Sequence, residues 1–303
     1  MQIAVVGHVC SDIIKLSDGS ETKSYGGIFF AVGALANLLG PNDAVLPVFG
    51  VGKTDYDAVI SLLENYKNVD TSGIYRINGP TNQVTLTYGQ PGDRIECSQH
   101  IAEPIPIKKI QPVLSANMIL INMISGFDIT LATLDEIRMA VREERTPVYL
   151  DVHTLLCGVN PDCTRFFRPL DMWRRWVFML HGVQMNEKEA GTITNEITDE
   201  SILARQILAL NTKVLHITRG SHGSTIYIDE HKQVKMHDIP ALEPEKAVDT
   251  TGCGDVYGAA YCVEYLRSKD IYRAAKFANT AASYNARFPG SKGIGSLSEL
   301  RST

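Results

Sequence analysis

Seven short runs of apolar, often β-branched residues recur along the chain, at 3–6, 44–51, 118–122, 148–152, 183–185, 214–218 and 225–228, with helical patterns between many of them. A strand apolar on both faces needs helices above and below it. The alternation therefore predicts an α/β fold: a mostly parallel central sheet flanked by helices. The helical pattern is expected over 28–39, 55–66, 131–143, 201–210, 254–267 and 271–287. Leu35, Leu38 and Leu39 fit one inward face, and Ile202, Ile207 and Leu208 another, while Gly40-Pro41 ends the first helix. At 303 residues and 44% hydrophobic content, one large core is within reach, and 1–303 is expected to form a single domain.

Two stretches break the rhythm. Residues 12–25 and 83–101 alternate like exposed strands, with Val84, Leu86 and Tyr88 interleaved by Thr85 and Thr87, and Gln90-Pro91-Gly92-Asp93 reads as a turn. They predict a small β-strand lid. A lid closing over the core would exclude water, a competing acceptor, from a group-transfer reaction. The alternative role is an edge extension for dimer contact.

Charge narrows the partners. The net charge is −5 and the pI near 5.9, without a block of like charges, so no nucleic acid and no membrane partner is expected. The N-terminal segment Gln2 to Gly7 lacks a basic leader, which makes a cytoplasmic location the default expectation. The six cysteines form no Cys-x-x-Cys pair. Structural zinc is not expected, and reduced, idle thiols are favoured over a Cys157–Cys163 bridge.

The stretch richest in chemistry is Asp249-Thr250-Thr251-Gly252-Cys253-Gly254-Asp255, followed by Val256, Ala259, Ala260 and Val263 at helical spacing. Two glycines around one small residue let backbone N–H groups crowd an anion at a helix N-terminus, where the dipole favours negative charge. Asp255 would repel that anion unless it has a task. Accepting a proton from an attacking hydroxyl is such a task. The dipole is also expected to lower the Cys253 thiol pKa.

With these residues in place, the chain resembles the ribokinase-like carbohydrate kinases of the phosphofructokinase-B (PfkB) family over nearly its whole length. The 249–255 stretch is similar to the family's Asp-Thr-Thr-Gly-Ala-Gly-Asp, with Cys253 in place of alanine. The resemblance implies transfer of the γ-phosphoryl group of ATP to a hydroxyl of a sugar or related polyol. Asp255 would be the base, and the Gly252, Cys253 and Gly254 backbone the anion hole. Thr218-Arg219-Gly220-Ser221-His222-Gly223 resembles the family's nucleotide loop, which assigns Thr218, Gly220 and Gly223 to ATP together with Thr251. Asn186-Glu187-Lys188-Glu189 is similar to the Asn-x-x-Glu motif, with Asn186 near the phosphates and Glu189 acting on Mg²⁺ through water. Asn279, in a C-terminal helix similar to the one lining the adenine pocket, would be an adenine-side contact. A monovalent cation such as K⁺ would sit near Asp249 and Thr251.

For the acceptor, the resemblance assigns Asp12 to substrate hydroxyls and the Gly26-Gly27 pair to close backbone approach. Four residues past the second glycine, where the family commonly has asparagine, stands Ala31. Losing that amide disfavours a ligand that needs it and weakens a simple ribokinase reading. Ile28, Phe29 and Phe30 would either wall a nucleobase or pack the helix into the core, and Arg94 would meet a phosphate or only solvent. A nucleoside kinase and a non-catalytic ligand sensor are the competing readings, and a homodimer through the lid strands is an expected option. Gly50-Val51-Gly52-Lys53-Thr54 imitates the end of a P-loop, but Pro47 occupies the required first glycine position. Gly7 to Asp12 likewise lacks the Gly-x-Gly-x-x-Gly of a dinucleotide dehydrogenase.

Overall fold

The structure is a computed structural model and describes residues 1–15, 19–88, 94–197 and 199–302. In chain order its strands are β1 (Gln2–Val6), β2 (Val9–Lys15), β3 (Glu21–Gly27), β4 (Ala44–Gly52), β5 (Ile74–Ile77), β6 (Asn82–Tyr88), β7 (Arg94–Gln99), β8 (Met118–Asn122), β9 (Val148–Asp151), β10 (Cys157–Val159), β11 (Arg165–Phe167), β12 (Gly182–Asn186), β13 (Val214–Thr218), β14 (Ser224–Glu230) and β15 (Gln233–Ile239). Among the described residues nine of these form one sheet, in the order β15-β14-β13-β12-β9-β8-β1-β4-β5. From β13 to β5 every neighbouring pair is parallel; β14 and β15 add an antiparallel edge.

The parallel strands read as continuous apolar runs because both faces are covered. In β1, Ile3 and Val5 enter one hydrophobic cluster and Ala4 and Val6 another, the period of two expected of a strand. The first cluster includes Leu35, Leu38 and Leu39 of the helix Ile28–Leu38 and its cap, with Val256, Ala259, Ala260 and Val263 of the helix Cys253–Ser268. Each buried leucine or isoleucine contributes about 1.5–3 kcal/mol by leaving water. Close packing of Cys253–Ser268 on the sheet requires small residues: a Cβ on Gly258 would lie 3.0 Å from Gln184 Oε1 and 3.4 Å from the Tyr149 ring.

The segments expected to form a lid make a second, four-stranded sheet in the order β3-β2-β6-β7. Its Val84 and Leu86 join the first hydrophobic cluster, so this small sheet is seated on the core. The predicted turn at 90–93 lies outside the described residues, as does the side chain of Arg94. Helix positions agree with the sequence pattern to within about three residues. Ile202 is a correction: it is 44% exposed, and Leu203 takes the inward position of its helix Glu200–Ala209. Strands β5, β10, β11 and β15 were not anticipated.

Candidate active site

The carboxyl ends of β8, β9, β12 and β13 converge on the start of the helix Cys253–Ser268, where open α/β sheets bind ligands. A cavity of about 700 Å³ runs along this edge. Gly252 caps the helix at φ 72°, a left-handed conformation natural to glycine, and a Cβ there would lie 2.3 Å from the Phe30 ring. Val256 N–H donates to Gly252 O (2.9 Å), which opens the helix directly after the turn. Cys253 N–H turns back to Thr250 O (3.2 Å), so this one of the three amides expected at the anion hole is engaged within the turn. Gln184 pins the helix start, its Nε2 donating to Gly254 O (2.9 Å) while Tyr149 OH donates to Gln184 Oε1 (3.0 Å).

Asp255 occupies the third residue of that helix and lines the cavity while staying buried. Asn122 at the end of β8 orients it: Nδ2 donates to Asp255 Oδ1 at 2.9 Å and to Asp151 Oδ2 at 3.3 Å. Burial pushes the Asp255 carboxyl above the ordinary range, against the pull of the His153 charge and the Asn122 hydrogen bond. Asp151 is raised further, by burial first and by Asp255 and Glu189 besides, with His153 opposing. The His153 ring lies within 4.0 Å of Glu189 and is 44% exposed. Its partial burial is outweighed by Glu189, Asp151 and Asp255, which hold its pKa at about 9. Asn122, Asp151, His153 and Gln184 escaped the sequence reading. The one local signal, the left-handed φ of 36° at His153, is a tertiary observation.

Asn186 and Glu189 form a reciprocal cap on the short helix Glu187–Thr192: Glu189 N–H donates to Asn186 Oδ1 (2.9 Å), and the Asn186 N–H and Nδ2 donate to the Glu189 carboxylate (2.8 and 2.6 Å). Both residues also line the cavity. Both Glu189 oxygens already accept these bonds, and the His153 ring stands beside them. Among the described residues no group of three or more His, Cys, Asp or Glu side chains is placed to hold a metal directly.

Thr218, Gly220 and Gly223 line the cavity beyond β13. Gly220 and Gly223 have φ of 55° and 94°. A Cβ on Gly223 would lie 2.1 Å from Ile239 O, so the close approach of the segment after β15 requires that glycine whatever binds in the cavity. Asn279 lines the cavity, with its amide nitrogen donating to Ile239 O (2.9 Å) and Pro240 O (2.7 Å). Ala282, Ser283, Ala286 and Ala247 complete a wall of small residues. Thr251 is tied to Asp249, which accepts from its N–H (2.9 Å) and hydroxyl (2.7 Å) and from Gly290 N–H (2.7 Å).

Cys253 corrects the expectation of a lowered thiol pKa. Burial raises it to about 11, and its Sγ donates to Ala282 O at 3.5 Å. The remaining cysteines are free thiols as well. A Cβ on Gly26 would lie 1.8 Å from Asp12 Oδ2: this glycine makes room for the carboxylate itself. Asp12, Phe30, Val84, Leu86 and Ile124 line the same cavity. Phe30 faces the cavity, Ile28 is core and Phe29 packs against the core, so two of the three apolar residues are structural. Gly50 to Thr54 forms a strand-to-helix turn whose residues do not line the cavity.

The profile of the pfkB family carbohydrate kinases matches residues 1–293. The chain belongs to this family. It is 25% identical over 289 residues to the cytidine kinase of Thermococcus kodakarensis, covering 89% of this chain and 91% of that protein. The ribokinase of Thermotoga maritima superposes with a TM-score of 0.76 at 20% identity, covering 99% of this chain and 98% of that one. A nucleoside kinase of Burkholderia thailandensis in complex with inosine gives 0.74 at 16%, covering 99% and 97%. This pfkB-family chain is thus a phosphotransferase acting on a hydroxyl acceptor, and the sensor reading falls away. The ribokinase of Arabidopsis thaliana, of the same fold, is complexed with ribose and ATP. No helix among the described residues is long and apolar enough to cross a membrane.

Proposed function

We propose that this kinase transfers the γ-phosphoryl group of Mg-ATP to a hydroxyl of a nucleoside, with Asp255 as the base. The observation carrying the acceptor class is that the cavity lined by the Asp12 carboxylate is also lined by the apolar side chains of Phe30, Val84, Leu86 and Ile124. A carboxylate suits sugar hydroxyls, whereas the apolar lining suits a flat ring attached to the sugar. The similarity to a cytidine kinase over 91% of that protein supports the same class.

As the oxygen–phosphorus bond forms, the acceptor hydroxyl gives its proton to Asp255, and the bond to ADP breaks on the opposite side. Charge on the transferred group falls at the Gly252 and Gly254 amides and the dipole of the helix they begin. Mg²⁺, when bound, neutralises the nucleotide phosphates, with Glu189 meeting its water shell. Asn186, Thr218, Gly220, Gly223 and Thr251 line the phosphate path, and Asn279 with the small residues Ala282, Ser283 and Ala286 lines the adenine side. We take 1–303 as one domain, working in the cytoplasm. The test is ADP release with Mg-ATP against nucleosides, ribose and inositols. Nucleosides are expected to give the highest kcat/KM; turnover of ribose or an inositol without turnover of any nucleoside overturns the reading.

A further inference from the structure

Beyond Asp12 the four-stranded sheet carries a second polar row. Register pairs Asp12 with Val84 and Val84 with Ser98, then Ile14 with Leu86 and Leu86 with Glu96. Paired residues, and residues two apart, point to the same face of a sheet. Glu96 therefore stands on the Asp12 face, one repeat of about 7 Å along the strands and two strands, about 10 Å, across from it. That diagonal separates a group that meets a ligand's sugar from one that meets the far edge of an attached base.

Opposite this row the β10–β11 hairpin delivers Arg165. Its side chain is only 10% exposed; Nε donates to Ser98 Oγ at 2.5 Å and Nη1 to Glu96 Oε2 at 3.3 Å. Both Arg165 and Glu96 line the acceptor half of the cavity, with Leu86 and Phe167 beside them. A free pentose held at Asp12 would not extend to this row. Side by side, a carboxylate and a guanidinium present an acceptor next to planar donors, the complement of an edge that carries an amine next to a ring nitrogen and a carbonyl.

Resting on the nucleoside reading above, we infer that Glu96 and Arg165 determine acceptor specificity by reading an aminopyrimidine edge. Glu96 accepts from the exocyclic amine, and Arg165 donates to the ring nitrogen and carbonyl. A site built on such groups rejects an analogue that leaves them unmatched, here a base with an oxo group in place of the amine. Because Arg165 also joins the hairpin to β7, a purely structural tie is the competing role. A tie affects all acceptors alike; an edge reader changes their ratio.

The experiment measures kcat/KM for cytidine, uridine and ribose with Mg-ATP in the wild type, Glu96→Gln and Arg165→Lys, and the thermal shift each nucleoside gives the wild type. The wild type should prefer cytidine over uridine by at least about tenfold and be stabilised more by cytidine. Glu96→Gln, whose amide can donate to an oxo group, should bring the ratio to within about threefold while ribose changes by less than about twofold. Arg165→Lys should raise KM for both nucleosides with kcat less affected. Nucleoside turnover with a ratio unchanged in Glu96→Gln, an equal loss on all three acceptors, or a wild-type preference for uridine overturns the inference and leaves the nucleoside reading standing. Absence of turnover with every nucleoside overturns both.

Discussion

At the scale of single residues, Asp255 carries opposing demands. A carboxylate raised by burial costs stability when ionised, and that cost is present in full above its folded pKa and disappears as pH falls below the unfolded value. Asp255→Asn should lower kcat by about 10²–10⁴-fold. It should also raise Tm at pH 7, with the gain shrinking toward pH 4; wild-type kcat in this variant would remove Asp255 from the role of base. Asn122 favours the ionised form through its hydrogen bond. Asn122→Leu should therefore shift the acidic limb of the kcat profile to higher pH, and an unmoved limb would show that Asn122 does not tune the base. Cys253 sits in the same turn with its thiol raised to about 11. Alkylation by iodoacetamide should be slow at pH 7 and quicken above pH 9, and Cys253→Ala, the residue usual in the family motif, should retain activity.

At the scale of elements, the helix Cys253–Ser268 is placed from both ends of its first turn. Gly252 lies against Phe30 and Gln184 holds Gly254. Gly252→Ala would put a methyl into the Phe30 ring and a side chain at φ 72°, so kcat should fall and Tm should drop by several degrees, as measured in parallel by ADP release and thermal unfolding. An unchanged kcat would show that the turn's geometry is not needed for transfer. Helices and the parallel strands were legible because their periodicity is local. Strands β10 and β11 were not, since three residues each, Cys157–Val159 and Arg165–Phe167, carry no measurable alternation. Ile202 shows the limit within a helix: a pattern allows neighbouring apolar residues to share a face, and only the packed partner decides between Ile202 and Leu203.

At the scale of the whole molecule, the four-stranded sheet and the main sheet share a hydrophobic cluster through Val84 and Leu86. Ser98 N–H also donates to Cys163 O at 2.8 Å, joining β7 to the loop between β10 and β11. One cooperative thermal transition is expected, rising in Tm with a non-hydrolysable ATP analogue, whereas two resolved transitions would mean that the four-stranded sheet or another part melts alone. The sequence by itself determined the α/β layering, the segments of the four-stranded sheet and the chain's phosphotransfer motifs, because strand and helix periods and glycine turns are written within a few consecutive residues. Tertiary structure alone decided that Asn122, Asp151, His153 and Gln184 meet around Asp255, and that Arg165 reaches Ser98 and Glu96. Apart from Asp151 with His153 and Glu96 with Ser98, those residues are separated by tens of positions, and nothing local to them encodes a distance that exists only once the sheet has closed its strand order.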